Sequence, residues 1–184
     1  MLGVLAVLSV LGAAVTAVVH RPAEAASRQW LRAYGVEVAV PTARWRLSGD
    51  AEAIAYGASA TVHAPAVLDE GFCPSSRSSS RAFVGLLPPV MGEVEHAVAD
   101  TGTAWVRQIA HPVPGGRTSP SARFDAEVPV RAGPCSPTTV HVTVVGRPTP
   151  GGVVRLVLVR DVGEPDDLSP AAADRIVQSL RSRT

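Results

Sequence analysis

Thr138–Val159, "TTVHVTVVGRPTPGGVVRLVLV", decides the fold. In its first half Val140, Val142 and Val144 alternate with His141 and Thr143, the period of a half-buried strand. Its second half, Val153–Val159, is apolar on both faces apart from Arg155, as a central strand requires. Between them "PTPGGVV" has the composition of a hairpin turn.

The same pattern extends upstream. Over Ala122–Val130, Phe124, Ala126, Val128 and Val130 share one face and Asp125 and Glu127 the other. "AFVGLL", Ala82–Leu87, is a buried-strand candidate closed by Pro88-Pro89. Trp45–Leu47 and Ile54–Val62 have strand character. Two helices interrupt the strands. Val94, Ala97, Val98, Thr101, Trp105 and Ile109 recur at spacings of three and four, and Glu93, Asp100 and Arg107 fall on other faces. His111-Pro112 and "PVPGG" end that helix. The second begins at "LSPAAADRIVQSL", with Ser169 as N-cap and Pro170 at the first helical position. Ala173, Ile176, Val177 and Leu180 form its apolar stripe, and Arg181 and Arg183 lie near its negative end. Hairpin-linked strands with two amphipathic helices predict an α+β domain, an antiparallel sheet with helical cover, over residues 41–184.

The N-terminus has a different character. Residues 1–20 are apolar from Leu2 to Val19, long enough for roughly 27 Å of helix against a hydrocarbon core of about 30 Å. They read as a transmembrane anchor or a signal segment, with an A-x-A cleavage pattern at Ala23-Glu24-Ala25. The cations follow the run (Arg21, Arg28, Arg32), which by the positive-inside rule places the remainder in the cytoplasm. Loss of a short basic leader is the competing explanation, and the cysteines favour it. Residues 21–40 are expected as a connector. Within it "RPAEAASRQWLRAYG" suits a short amphipathic helix that sets Trp30, Leu31 and Tyr34 at the membrane interface.

Composition bounds the function. The chain has 184 residues and a net charge of +1, so bulk electrostatics predict no nucleic-acid binding. Lys and Asn are absent, which reads as the codon bias of a GC-rich genome. Aromatic residues are 4%, too few for a base-stacking platform.

The order of elements, with "VPTARW" leading into the domain, "GFCP" after the first strands, Trp105 in the first helix and "RIVQSLR" at the end, resembles a known group. That group is the uncharacterised extracytoplasmic domain of actinobacterial membrane-anchored proteins, similar in fold to PsbP-like proteins. The resemblance implies a small sheet-and-helix sandwich at the cell surface. It supplies no catalytic residues.

Cys73 in "GFCPSS" and Cys135 in "AGPCSP" are the only cysteines, in matching Pro/Ser loops. Beside an export signal such a pair reads as a disulfide. A Cys nucleophile needs a histidine base, and none of His20, His63, His96, His111 and His141 forms a local signature with Cys73. A zinc site needs more ligands than two isolated cysteines supply. "SSRSSSR" places Arg77 and Arg81 among hydroxyls, a contact surface for an anionic envelope polymer set against the simpler reading of a solvated loop. "RDVGEPDDLSP" gathers Asp161, Glu164, Asp166 and Asp167 without cation-loop spacing. Glu93, His96 and Asp100 share a helix face that any solvated helix could carry. "YGASA" lacks the second glycine of a nucleophile elbow.

No metal and no cofactor is expected. The leading expectation is a non-enzymatic accessory or interaction domain, either held outside the membrane by its N-terminal helix or secreted after cleavage at Ala25. It would face an envelope protein or anionic polymer. The alternative is a ligand-binding protein or hydrolase using scattered residues such as His96, His141 and the acidic loop. A third reading places the domain in the cytoplasm.

Overall fold

The computed structural model describes residues 27–48, 51–55, 58–77, 79–109, 122–131 and 135–183. The apolar run of residues 1–20, the Ala25 cleavage pattern, His20, His111 and the "PVPGG" turn lie outside the described residues. Among the described residues no helix is long and apolar enough to cross a membrane.

The domain is α+β and its sheets are antiparallel. The main sheet is built from β3 (Trp45–Leu47), β4 (Ala51–Ala55), β5 (Ala58–Leu68), β6 (Ala82–Val90), β7 (Arg123–Pro129), β8 (Thr139–Thr149) and β9 (Gly152–Val162). Its order is β3-β5-β6-β9-β8-β7, and β4 pairs with β5. The decisive stretch behaves as its pattern predicts. β8 and β9 pair from Thr139↔Val162 to Thr149↔Gly152 around a two-residue turn at Pro150-Gly151. β9 lies between β6 and β8, and its Val153, Val154, Leu156, Val157, Leu158 and Val159 are all buried.

Two cores follow from the two faces of this sheet. One side is covered by α1 (Val94–Ile109). Its Val98, Trp105, Val106 and Ile109 pack on Phe124, Val128, Val140, Val142, Val144, Val157 and Val159. The approach is close because residue 102 is glycine: a Cβ there would overlap the ring of Phe124. Gly146 admits the same helix on β8, since a Cβ would come within 2.7 Å of Val94. The other side carries Val154, Leu156 and Leu158, which pack against α2 (Pro170–Gln178) through Ala173, Ile176 and Val177. Ser169 caps α2 by accepting a hydrogen bond from the backbone N–H of Ala172 at 3.3 Å.

The second cover contains an element that the sequence reading assigned differently. The expected connector helix within 21–40 is, in its described part, a β-hairpin. β1 (Arg28–Ala33) pairs with β2 (Val36–Pro41) from Arg28↔Pro41 to Ala33↔Val36. Tyr34 and Gly35 close it with φ of 53° and 76°, the left-handed pair that a two-residue hairpin turn needs. "VEVAVP" is a period-2 strand, and Val36, Val38 and Val40 are completely buried. The three-residue spacing of Trp30, Leu31 and Tyr34 imitated a helix face, but burial against β2 and the main sheet prevails over that local pattern. β10 (Arg181–Ser182) pairs with β2, giving the small sheet β1-β2-β10. Arg181, expected at the end of α2, therefore serves this sheet, pairing with Glu37 at 2.7 Å and lying over the ring of Trp30.

Two smaller corrections concern strand ends. Ile54–Val62, read as one segment, is divided between β4 and β5, which pair at Ala55↔Ala58. β6 continues past Pro88-Pro89 to Val90 through a register shift that accommodates the prolines.

Candidate functional site

The cysteines, the serine–arginine loop and the acidic loop lie together at one end of the main sheet. Three segments meet there: the loop between β5 and β6, the segment before β8, and the loop from β9 into α2. Cys73 and Cys135 stand at disulfide distance, with sulfurs 1.96 Å apart and Cα atoms 5.8 Å apart. Cys73 is buried. The serines around it shape the loop. The Ser79 hydroxyl accepts from the N–H of Cys73 at 2.9 Å and donates to the Ser76 carbonyl at 2.8 Å. Gly71 donates its N–H to the Ser79 carbonyl at 2.8 Å, with a φ of 77°. Of the hydroxyls that suggested an anion cradle, those of Ser79 and Ser75 are thus used within the turn, the latter 3.0 Å from Cys73 Sγ.

The two arginines of that loop have separate fates. Arg81 turns inward. Its guanidinium lies 3.1 Å from Asp161, which is wholly buried, and 3.6 Å from Glu164. The same group sits 3.9 Å above the Phe72 ring. Its backbone continues the sheet, donating to Leu68 and accepting from Asp161. Arg81 is therefore an internal counter-ion, with Asp161 and Glu164 as its partners. Arg77 is exposed and has no ion-pair partner among the described residues.

A further ion pair at this end had no sequence signal. Arg44, in the turn before β3, donates to both carboxylate oxygens of Asp69 and, at 2.6 Å, to the backbone carbonyl of Asp166. The hydrogen bond to Asp69 raises the Arg44 pKa against the opposing effect of burial. Arg44, Asp69 and Asp166 all have left-handed φ, at 66°, 50° and 63°. Such backbone is costly for non-glycine residues and persists where surrounding contacts fix it. Together with Glu70, Gly71 and Phe72 they line an open depression of about 520 Å³. The rest of the acidic loop is also engaged: Asp167 accepts from the N–H of Gly163 at 3.1 Å. Among the described residues no group of three or more His, Cys, Asp or Glu is arranged to hold a metal ion.

A second polar cluster lies on the α2 side of β7 and β8. Asp125 accepts from Arg123 at 2.6 Å, from the Thr143 hydroxyl at 2.8 Å and lies 3.1 Å from His141 Nε2. Arg123 also reaches Asp174 of α2 at 2.9 Å. Burial pushes the Asp125 carboxyl up, but the hydrogen bonds from His141, Arg123 and Thr143 prevail and hold it well below the usual carboxylate range. In turn the hydrogen bond to Asp125 raises the Arg123 pKa over the opposing pull of burial. Nδ1 of His141 is buried without a hydrogen-bond partner, and Glu127 is 4.0 Å away. Among the described residues this histidine–carboxylate pair has no hydroxyl nucleophile on Nδ1, since Thr143 donates to Asp125 instead.

The scattered site considered from sequence does not converge. His141 lies between Val140 and Val142, which face α1, so its side chain emerges on the opposite face. His96 is exposed on α1 beside Glu93, at 3.5 Å. Asp161 is enclosed by Arg81 at the sheet's end. Arg44, Asp69 and the Arg123–Asp174 link were missed because their partners are distant in sequence and each residue reads alone as a surface charge.

Fold and site define an α+β domain with two cores, a cysteine pair at disulfide distance and a loop end fastened by internal ion pairs. The family model described as Domain of unknown function (DUF8017) matches residues 26–184, and the chain belongs to that family. The matched range takes in the β1–β2 hairpin, which is thus part of the domain. No curated protein and no solved structure matches the chain significantly.

Proposed function

We propose that this chain is a non-enzymatic interaction module of an actinobacterial cell envelope, a sandwich of the PsbP-like kind outside the cytoplasmic membrane. Its apolar residues 1–20 serve as the tether, and cleavage after Ala25 would yield a secreted form. The observation that carries this reading is the Cys73–Cys135 pair at disulfide distance, because such bonds persist in oxidising compartments. Its non-catalytic character is supported by where the polar groups go. The buried carboxylate Asp161 is matched by Arg81, His96 and His141 sit on opposite faces, and the depression at the loop end is wide and open. Arg77, exposed beside the disulfide, offers the contact for an anionic envelope polymer or an envelope protein.

The test is thiol titration of full-length protein freshly recovered from cells, with and without reductant. No free thiol before reduction and two after it are expected. Reduction should also cost about 4 kcal/mol of stability, the loop-closure figure for a separation of 62 residues. Two free thiols in fresh material would overturn the placement.

A further inference from the structure

A small groove lies between β2 and α2, on the side of the domain opposite α1. Its volume is about 150 Å³, below the several hundred Å³ of a drug-sized site. Pro41, Ala172 and Ile176 give it a partly apolar floor, while Arg28 and Arg175 border it and no acidic side chain lines it. Ser179 closes the end, its hydroxyl engaged with the backbone of Ala39 and Ile176. Both arginines are exposed, and neither has an ion-pair partner among the described residues. Arg44, Arg81, Arg123 and Arg181 are each matched by a carboxylate, whereas Arg77, Arg107, Arg131, Arg147 and Arg183 are, like these two, exposed without one among the described residues, so it is the apolar floor beside the pair that sets Arg28 and Arg175 apart.

The place of the groove in the chain gives its occupant. Arg28 begins β1, nine residues after Val19, where the apolar N-terminal run ends. Nine links of extended chain span at most about 30 Å, so a tethered domain keeps Arg28 within that distance of the bilayer surface. Two uncompensated cations beside a short apolar floor match a phosphate joined to the first carbons of its acyl chains. A polar anion would use the arginines and leave the floor idle. We propose that this groove binds the headgroup of an anionic phospholipid, docking the domain onto the membrane that carries it. The inference rests on the envelope-tether reading for its biological setting, and the binding itself is measurable without it.

The full chain held in non-ionic detergent is titrated with short-chain phosphatidylglycerol, short-chain phosphatidylcholine and inorganic phosphate. Amide shifts of Ala39, Ile176 and Ser179 give the affinities. Phosphatidylglycerol should bind, and an arginine near an anionic surface contributes a factor of about five. Arg28→Ala with Arg175→Ala should therefore weaken binding about 25-fold, whereas Arg28→Lys with Arg175→Lys should retain most of it. Both positions are exposed, so the thermal midpoint should stay unchanged. Equal binding of phosphatidylcholine, equal binding of inorganic phosphate, or an alanine pair that binds like the wild type would each overturn the assignment. Failure of the tether reading shows instead as free thiols in cells and leaves this titration unaffected.

Discussion

Replacing Arg81 with alanine should cost several kcal/mol, far more than loss of a surface charge. Its partner Asp161 is completely buried, and Arg81 itself retains only 15% of its side-chain exposure. An exposed ion pair contributes about 0–1 kcal/mol. Removing one partner of a buried pair takes away the other's counter-ion and costs about 3–5 kcal/mol. Loss of the cation above Phe72 adds to this, by about 0.5–1 kcal/mol where the ring is partly wet. Glu164 does not rescue the site, because it is also negative. Equilibrium urea unfolding of the oxidised protein at neutral pH reads the effect. With a slope of about 2 kcal/mol/M, a loss of about 4 kcal/mol lowers the midpoint by about 2 M. The double replacement Arg81→Met with Asp161→Leu removes both charges and should recover much of the loss. A change below about 1 kcal/mol for Arg81→Ala would refute the reasoning and return Arg81 to the surface as an anion contact.

Gly102→Ala should destabilise the domain although alanine improves helix propensity by about 1 kcal/mol, because its Cβ overlaps the Phe124 ring and overpacking costs about 1–3 kcal/mol. A raised thermal midpoint would show that α1 can shift freely on β7. Asp125 gives a pH signature. Its folded carboxyl titrates below the unfolded one, so its contribution is present above the unfolded value near pH 4 and is lost as pH falls towards the folded value. Asp125→Asn resembles the protonated state, so wild type should exceed it in urea midpoint at pH 7, with the gap closing below about pH 4. Because Asp125 is partly exposed the gap will be modest, and a gap that does not vary with pH would contradict the assignment.

The β8–β9 hairpin and both helices were legible because each rests on a local period: two for Val140–Val144, three and four for Val94–Ile109. The cap at Ser169 was legible for the same reason, its partner Ala172 being three residues away. The β1–β2 hairpin was not. Its turn uses a left-handed tyrosine, which carries no glycine-pair signal, and its burial is decided by residues far along the chain, on β5, β6, β9 and α2. The cysteine pair could be read because only two cysteines exist and only one pairing is available.

Charges allow no such economy. All 17 cationic side chains are arginine, so chemical identity distinguishes none of them. Arg77 and Arg81 are four residues apart among serines, yet one is exposed and the other closes over a buried aspartate 80 positions away. The difference is register: β6 begins at Ala82, which places Arg81 where its guanidinium can reach the last buried residues of β9. An arginine's role is therefore set by which carboxylate the sheet brings beside it. On that criterion the cations available for partners are those left without a carboxylate among the described residues, among them Arg28 and Arg175 beside the groove and Arg77 at the loop end.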